Sequence, residues 1–398
     1  MKKKKQIVFL ESFSTVFFYK ISKLFREKGY ETVLLRLLGQ KSDKEFYDES
    51  FDRIIDFRLD LSGLRKIKHA LSAFLSILKL KPYVIIGRAT PSAPVALIRR
   101  LFRKTPLIYF PYDIRVQSFK NAKTAKEVRG LSDFEINSER YCFENSEGVM
   151  HKGAENELDH INGRMLGNNI KLPKNILHFM PYCSDEFIVP LNKNKLSKKD
   201  KEIHTAYVAS AGAAQKEIFT GIFSQVRDLL ESNIHVHVFI CSNRDLEKVK
   251  DEFLEEYKNF SSIKYLHIHN SLNPKSLIRE ISKYDYGVWP PFDPIANDYD
   301  TECKFATGNK LSTYLEAGLP FLYASKLEFA DSLMKKYNLA LSVDPHDKNN
   351  SKTMDQELKN IDYKELEKNV VLMRNDFNME KNFHKLEEFI KKVVASKH

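Results

Sequence analysis

Several side chains that can do chemistry follow short apolar runs of the kind that form buried strands. Asp113 comes after the run 107–110, and its carboxylate can take the proton of an attacking hydroxyl group; its alternative role is that of an ordinary turn residue. Arg88 follows the run 83–86 and can bind an anionic phosphate through two hydrogen bonds, and His151 ends a further run. Because the carboxyl ends of parallel strands meet at one edge of a sheet, we expect these side chains to face a binding cleft.

The turn after the first apolar run, 7–10, is rich in hydroxyl groups. Ser12 and Ser14 lie in this turn, and their hydroxyls can bind a sugar. The alternative for Ser14 is that it caps the helix predicted to begin near residue 15.

Two pairs of histidines alternate along predicted strands. His235 and His237 share one face of their strand, and His267 and His269 share one face of theirs. A metal site needs a third ligand and usually a neighbouring carboxylate, so structural histidines are the simpler interpretation.

The order of these runs predicts the fold class. Short β-branched runs alternate with amphipathic helical patterns in both halves of the chain, which is typical of β-α-β units around parallel sheets. We therefore predict an α/β protein with two Rossmann-like domains whose parallel sheets face each other across a cleft. Strands are predicted at 7–10, 32–38, 53–57, 83–86 and 107–110, and in the second half at 204–209, 235–240, 263–268, 286–290 and 320–324.

Domain boundaries follow from the polar, lysine-rich segment 191–201, which has no apolar periodicity and is predicted to be a linker. The predicted domains are 1–190, which would bind an acceptor, and 202–362, which would bind the other substrate. Residues 363–398 are predicted to form one long helix that braces both domains.

Composition narrows the choice of partners and compartment. The 398 residues carry 64 Lys and Arg against 53 Asp and Glu, a formal net charge of +11, which favours an anionic partner. No recognised nucleic-acid motif accompanies this charge, so no nucleic-acid partner is predicted. The four cysteines form no C-x-x-C pair, which argues against a zinc ribbon and a dense disulfide framework and favours a cytoplasmic location.

Membrane contact is predicted to be peripheral. The apolar run after the N-terminal lysines is too short for a signal peptide, and no stretch of about twenty uncharged apolar residues occurs. An amphipathic helix predicted over 64–80 carries lysines and arginines at its flanks and suits docking on an anionic cytoplasmic leaflet. The alternative is that this helix packs on the sheet and exposes its lysines.

The most specific pattern in the chain is Gly308 to Leu322, GNKLSTYLEAGLPFL. It resembles the donor-site helix of GT-B glycosyltransferases of the group 1, family 4-like type, whose pattern is roughly K-L-x-E-Y-L-A-A-G-x-P-V-V. The start of such a helix offers unpaired N–H groups and a positive dipole end to phosphates. The resemblance implies that Asn309 and Lys310 contact the donor's phosphates and that Gly318 ends the helix.

Further segments resemble the same family, in the same order along the chain. They are the helix-to-strand segment 281–290, the strand 339–345, the strand 81–86, the turn 109–113 and the segment 175–182. The resemblance therefore covers nearly the whole chain.

The nucleotide pocket departs from the family pattern. Thr313 stands where many members have a glutamate that binds the donor ribose, and Glu316, one helical turn later, is predicted either to replace it or to have a solvent-facing or capping role. In the diphosphate loop, Lys216 keeps the family's lysine, whereas Ala211 replaces its arginine. Small residues such as Gly212 still let a phosphate approach the backbone.

An acidic loop precedes the donor helix. Asp298 and Asp300 form a D-x-D pair, but solvated loop acids are the simpler interpretation, and no metal or other cofactor is predicted to be required. This loop is expected to contact hydroxyls of the donor sugar, with Asp293 or Asn297 nearest.

The resemblance implies a metal-independent glycosyltransferase that moves a sugar from a nucleotide sugar to a glycan or lipid-linked acceptor, in polysaccharide or glycan biosynthesis of the cell envelope. Two alternatives stay open: a sugar-nucleotide epimerase of the same fold, and a binding or scaffold protein that has lost donor chemistry. Strings typical of proteases, esterases, P-loop enzymes and standard dinucleotide-binding enzymes do not occur.

Overall fold

The computed structural model describes residues 4–12, 15–38, 44–59, 61–88, 91–112, 114, 123, 126–127, 130–159, 170–209, 221–240, 246–289, 304–305, 307–343 and 350–397. The chain divides into two compact units. The first consists of Met1–Met180 together with Met379–His398, and the second of Pro181–Asn378.

Each unit is built on one parallel sheet, which confirms the predicted α/β class. The first sheet has seven strands in the order β3-β2-β1-β4-β5-β6-β7, and the second has five in the order β10-β9-β8-β11-β12. The strands of the first sheet are β1 Gln6–Glu11, β2 Glu31–Arg36, β3 Arg53–Asp56, β4 Val84–Arg88, β5 Leu107–Phe110, β6 Gly148–His151 and β7 Asn175–His178; those of the second are β8 His204–Ala209, β9 His235–Ile240, β10 Leu266–His269, β11 Tyr286–Trp289 and β12 Phe321–Tyr323.

Helices connect and cover the strands. The described helices are α1 Val16–Glu27, α2 Lys44–Asp48, α3 Gly63–Leu78, α4 Ala93–Leu101, α5 Asp133–Asn145, α6 Ser197–Asp200, α7 Gly221–Glu231, α8 Leu246–Tyr257, α9 Pro274–Ile281, α10 Asn309–Ala317, α11 Glu328–Lys336, α12 Asn350–Asn360, α13 Tyr363–Asp376 and α14 Met379–Ala395, and a 3₁₀ helix spans Ser261–Tyr265.

Both sheets have a point at which the strand order reverses. In the first sheet β1 lies between β2 and β4, and in the second β8 lies between β9 and β11. Connections on the two sides of such a point leave in opposite directions, so the carboxyl ends of the central strands are open to ligands.

Most predicted strand boundaries differ from the observed ones by one or two residues, and two elements differ by more. The start of the predicted strand 263–268 lies in the 3₁₀ helix, and β10 begins only at Leu266. The predicted helix over 363–398 is two helices, because the carbonyl of Phe377 accepts the backbone N–H of Cys183 at 2.7 Å instead of continuing the helical pattern.

The division of the chain also differs from the predicted domains. It falls after Met180, and the segment 191–201 lies within the second unit and contains α6. In addition, α14 belongs to the first unit: Phe383 packs edge-on against Phe25 of α1 with 4.7 Å between ring centroids.

The apolar stripe of α3 is exposed. Its side chains are between 52% and 84% exposed, and the helix buries a different face through Ala73 and Ile77. The members of the stripe are Leu64, Ile67, Leu71, Leu75 and Leu78. Helix α3 thus presents to solvent the side that amphipathic surface helices normally turn inward.

None of the described helices combines the length and apolar character that a membrane span requires.

Candidate functional site at the carboxyl ends of the sheets

The point of reversal in the first sheet holds an ion pair. Glu11 is the last residue of β1, and Arg88 is the last residue of the neighbouring β4. The Arg88 guanidinium is paired with the Glu11 carboxylate, and the side chains are 13% and 1% exposed respectively. Arg88, predicted as an anion-binding residue, therefore lies at this edge with an acidic partner that the sequence analysis did not single out.

The two oxygens of the Glu11 carboxylate differ in their hydrogen bonding. Its Oε1 atom accepts the Thr15 hydroxyl at 2.7 Å, whereas its buried Oε2 atom has no hydrogen-bond partner among the described residues. Burial raises the pKa of Glu11, against the opposing effect of the Arg88 charge. A buried carboxylate of raised pKa at a strand end is typical of groups that exchange protons with a ligand.

Two positively charged side chains contact the ring of Tyr112, which follows β5. The Arg88 guanidinium carbon lies 3.9 Å from the centre of the Tyr112 ring, and the Lys152 ammonium nitrogen lies 3.7 Å from it. Both distances are within the range of cation–π attraction. The ends of β4, β5 and β6 therefore give this edge a positive charge.

His151, predicted as a site residue, lies beside this charge but is buried. Its Nδ1 atom is 3.1 Å from the Glu157 carboxylate, which also accepts the backbone N–H of Gly153 at 3.2 Å. A Cβ atom at Gly153 would collide with that carboxylate, so a larger residue there would displace the Glu157 side chain. The pair His151–Glu157 holds the turn that carries Lys152.

The hydroxyl turn after β1 differs from the prediction. Ser12 is only 8% exposed, and its carbonyl accepts the backbone N–H of Leu38 at 2.8 Å. The N-cap position of α1 is Thr15, so the interpretation of Ser14 as N-cap is wrong; the Thr15 hydroxyl does not cap the helix because it donates to Glu11. Ser14 and Asp113 themselves lie outside the described residues.

In the second sheet, the start of α10 lies at the carboxyl end of β11. Trp289 ends this strand, and a Cβ atom built on Gly308, the N-cap residue of α10, would be 3.9 Å from its indole ring. No side chain caps this helix, and its first turn contains no acidic residue. The unpaired N–H groups and the helix dipole thus leave a positive end at this edge.

Three predicted donor residues lie in the first turns of α10. Lys310 is half-buried, with its ammonium nitrogen 5.9 Å from the ring centre of Tyr207 on β8. The Asn309 carbonyl accepts the hydroxyls of Ser312 at 3.1 Å and Thr313 at 3.0 Å. Thr313 thus points its donor hydrogen into its own helix.

Thr307 is a further polar residue at the start of α10 that the sequence analysis missed. Its hydroxyl is buried, at 3% exposure of the residue, and has no hydrogen-bond partner among the described residues. A buried hydroxyl without a partner is costly unless a ligand satisfies it. The signal in the sequence is its position directly before the glycine that opens the donor motif.

Glu316 lies inside the second unit and not on its surface. It is 1% exposed, and its carboxylate accepts the backbone N–H of Ser184 at 2.9 Å, while its carbonyl accepts that of Val189 at 3.0 Å. Glu316 therefore fastens the segment 184–189 to α10, and its predicted solvent-facing alternative is wrong.

Tyr314 fixes α10 to the sheet. Its hydroxyl donates to the carbonyl of Val288 at 2.7 Å and accepts the backbone N–H of Val208 at 3.3 Å, so it joins β11 and β8 at the point of reversal. A Cβ atom at Gly287 would lie 2.5 Å from the Tyr314 ring. Glycine at 287 lets this ring rest on the strand.

The remaining predicted donor residues, Lys216, Gly212 and Asp293, lie outside the described residues.

No protein-family model matches the sequence, and no curated protein matches it. Solved structures do match over nearly the whole chain. Sucrose-phosphate synthase from Thermosynechococcus elongatus is similar with a TM-score of 0.69 and 13% identity, and the alignment covers 99% of this chain and 100% of that one. Anabaena HepE in complex with UDP and glucose gives a TM-score of 0.69 and 11% identity over 97% of this chain and 99% of that one.

Phytolacca americana UGT2, complexed with UDP-2fluoro-glucose and pterostilbene, gives a TM-score of 0.53 and 11% identity over 98% of this chain and 99% of that one. These matches and the two parallel sheets show that the chain has the GT-B fold, as the motif 308–322 predicted.

Proposed function

We propose that the protein is a glycosyltransferase that binds a nucleotide sugar in its second unit and moves the sugar to an acceptor bound by its first unit. The observation that carries the proposal is the uncapped, acid-free start of α10 at the carboxyl end of β11. The HepE and UGT2 structures are complexes with UDP and with UDP-2fluoro-glucose, which supports a nucleotide-sugar donor.

In this proposal the donor diphosphate binds at the start of α10. The backbone N–H groups of Asn309 and Lys310, the helix dipole and the Lys310 ammonium stabilise its negative charge. Lys216 supplies a second cation and Gly212 a close backbone approach. Because these groups neutralise the leaving diphosphate, no metal ion is required.

The rest of the donor meets polar groups around the same helix. Thr307 offers its unpartnered hydroxyl, and Asp293 contacts sugar hydroxyls. We assign Thr313 and Glu316 to holding the pocket together, since each already bonds to backbone groups of its own unit.

The acceptor is proposed to bind at the carboxyl edge of the first sheet. Arg88 and Lys152 suit an acceptor phosphate, and Ser12, Ser14 and His151 are the other residues proposed for this site. Asp113, which directly follows Tyr112, is the proposed general base for an inverting reaction. Glu11 is the second carboxylate available there, and its raised pKa suits proton exchange.

The acceptor is proposed to be lipid-linked, with the protein docked on an anionic membrane at the cytoplasmic face through α3. The exposed apolar stripe supports this, because its side chains gain about 1.5–3 kcal/mol each when they leave water. Residues 61–112 contain ten Lys and Arg and no Asp or Glu, which favours an anionic surface over a neutral one. Assembly of an envelope polysaccharide or glycan fits such an acceptor.

The proposal is tested by thermal unfolding of the full chain with UDP, GDP, dTDP, ADP and CMP, with and without magnesium. A nucleotide present at about 100 times its dissociation constant should stabilise the protein by roughly 2.7 kcal/mol. We expect one nucleoside diphosphate to do so without magnesium, and the effect to disappear in Lys310→Ala.

The matched control is Lys364→Ala, which removes an exposed lysine of α13 in the same unit. Stabilisation by none of the nucleotides would favour the scaffold alternative. Turnover of a nucleotide sugar without any acceptor would favour the epimerase alternative, and stabilisation that requires magnesium would contradict metal independence.

A further inference from the structure

Five histidines form a cluster on one face of the second sheet, separate from the proposed donor site. His204 and His235 are the first residues of β8 and β9, so the cluster lies at the amino-terminal edge, whereas α10 begins at the carboxyl edge. In the register of the sheet His204 pairs with His235, and His237 pairs with His267. His269 continues the row along β10.

Two carboxylates fix the rings nearest the edge. The His204 Nε2 atom lies 2.9 Å from the Asp200 carboxylate, and the His235 Nε2 atom is hydrogen-bonded to the Glu202 carboxylate. A carboxylate only accepts hydrogen bonds, so in each ring Nε2 carries the proton and Nδ1 presents a lone pair. Histidines that bind metals are usually held by a carboxylate in this way.

The lone pairs of these two histidines point at two further rings. His204 Nδ1 is 3.0 Å from His237 Nε2, and His235 Nδ1 is 2.8 Å from His267 Nε2.

The two hydrogen-bonded pairs lie one above the other. His204 stacks on His235 with 4.3 Å between centroids, and His237 stacks on His267 with 4.4 Å. Three of these rings bring ligand atoms together, since one ring nitrogen each of His204, His235 and His237 lies within 4.8 Å of the other two.

We propose that His204, His235 and His237 bind one divalent transition-metal ion of the zinc type, with a water molecule as the fourth ligand. A tetrahedral zinc site places its nitrogens 2.0–2.1 Å from the ion, which corresponds to about 3.4 Å between nitrogens. The nitrogens of His204 and His237 are 3.0 Å apart and all three ligand atoms lie within 4.8 Å of one another, so ring rotations bring the three nitrogens to the ion. Imidazole ligands select zinc, copper, nickel or iron over magnesium and calcium.

The protons balance without ionising any ring. His204 and His235 already present a lone pair on Nδ1. His237 carries its proton on Nε2 in the hydrogen-bonded arrangement and becomes a ligand when this proton moves to Nδ1. His237 Nδ1 then donates to His269 Nε2, which lies 2.9 Å away. His269 shifts its own proton to Nδ1, and three neutral imidazoles face the ion. Asp200 and Glu202 offset its charge.

Such an ion joins β8 and β9 at the edge remote from the donor site. Its role is to hold the sheet of the second unit together, which is compatible with metal-independent glycosyl transfer. The two histidine pairs noted in the sequence lack a third ligand and a neighbouring carboxylate. In the structure His204 is the third ligand, and Asp200 and Glu202 are the carboxylates, because the strand order and the segment before β8 place them beside the pairs.

The test uses the full chain, purified without metal affinity steps and treated with a chelator, then given Zn²⁺ at neutral pH. We expect one equivalent to remain after desalting, measured by elemental analysis, and none after the same treatment with Mg²⁺. His235→Phe keeps an aromatic ring stacked on His204 but removes the ligand nitrogen, and should lower zinc affinity at least tenfold.

Glu202→Gln is a second variant that removes no ligand and leaves the strands intact. It should weaken zinc binding by about 10- to 100-fold. His384→Gln, an exposed histidine of α14, is the control and should bind zinc like the wild type. Absence of retained zinc, or retention in His235→Phe and Glu202→Gln equal to that of the wild type, would overturn the proposal. Substitution by Co²⁺ should give the visible absorption of a tetrahedral nitrogen site.

Discussion

Gly318 ends α10 in a conformation that other residues adopt at a cost. Its φ angle is +74°, and a Cβ atom there would lie 2.8 Å from both the Arg374 guanidinium and the Leu191 side chain. We expect Gly318→Ala to lower the free energy of unfolding by about 2–4 kcal/mol, since the left-handed backbone costs about 1–2 kcal/mol and crowding adds to it. Urea unfolding measures this.

Gly29→Ala is the matched control for that substitution. Gly29 has a φ angle of +84°, but no atom lies within 4 Å of its would-be Cβ. It should cost only about 1–2 kcal/mol. Equal losses in the two variants would contradict the role of crowding at Gly318.

Lys195 carries a charge inside the second unit. It is 4% exposed and donates to the carbonyls of Ser282 at 3.1 Å and Tyr284 at 2.8 Å, and burial lowers its pKa from 10.5 to about 8. Between these two pH values the unfolded chain binds more protons than the folded chain, so the free energy of unfolding rises with pH. From pH 7.5 to 9.5 the wild type should gain about 2 kcal/mol relative to Lys195→Met.

Urea unfolding at pH 7.5, 8.5 and 9.5 checks this difference, because other titrating groups are common to both chains. Lys199→Met, at an exposed lysine of α6, should show no such trend. A difference between wild type and Lys195→Met that stays constant with pH would contradict a lowered pKa.

At the residue scale, the sequence predicted where strands end better than it predicted which side chains form the site at those ends. Arg88 does lie at the carboxyl edge of its sheet, because a residue at the end of a buried apolar run lies where the strand ends. The sequence analysis chose Ser12 and not Glu11 as a site residue, because the apolar pattern does not show which side chain of a turn points towards the site. The role of the Glu316 side chain depends on Ser184, a partner that is distant in sequence.

At the scale of elements, the stripe of α3 makes the sharpest prediction. Ile67→Glu with Leu71→Glu should reduce binding to vesicles of phosphatidylglycerol and phosphatidylcholine at least tenfold, because two apolar side chains lose their burial in lipid. Both residues are exposed, at 63% and 57%, so folding should not change. Vesicle flotation at physiological salt measures the bound fraction.

Leu372→Glu, at an exposed leucine of α13, is the control and should float like the wild type. Equal binding of the wild type to purely phosphatidylcholine vesicles would contradict the role of charge. Absence of flotation, or a wild-type dimer that the α3 substitutions dissociate, would assign the stripe to a protein contact instead.

Periodicity predicted elements well and their surroundings poorly. The strands 107–110, 204–209 and 235–240 have the predicted bounds because each is a compact apolar run between polar breaks. The apolar periodicity of α3 correctly predicted which residues share one face of the helix. It could not predict what that face contacts, because the same periodicity occurs whether the face packs on a sheet, binds a membrane or is exposed to solvent. The histidine cluster likewise depends on the strand order β10-β9-β8.

At the scale of the whole molecule, the C-terminal helix α14 completes the first unit. Phe383 is 2% exposed and packs on Phe25, and a Cβ atom at Gly148 of β6 would collide with Val393 and Phe389. Phe383→Ala should therefore lower the free energy of unfolding by about 3–5 kcal/mol.

Urea unfolding followed by circular dichroism measures that loss. Leu372→Ala removes an exposed side chain and should change stability by no more than about 0.5 kcal/mol. A loss as small in Phe383→Ala would show that α14 contributes little to the first unit. The sequence did not show this return of the chain, since the break at Phe377 depends on a hydrogen bond from Cys183, which is distant in sequence.

The most direct test of donor binding is amide hydrogen exchange with and without the nucleoside diphosphate that stabilises the protein. The amides of Asn309 and Lys310 at the uncapped start of α10 should exchange at least tenfold more slowly in its presence, and not with the nucleoside lacking phosphates. Protection confined to the edge of the first sheet around Glu11 and Arg88, with exchange at 307–312 unchanged, would contradict a donor site at α10.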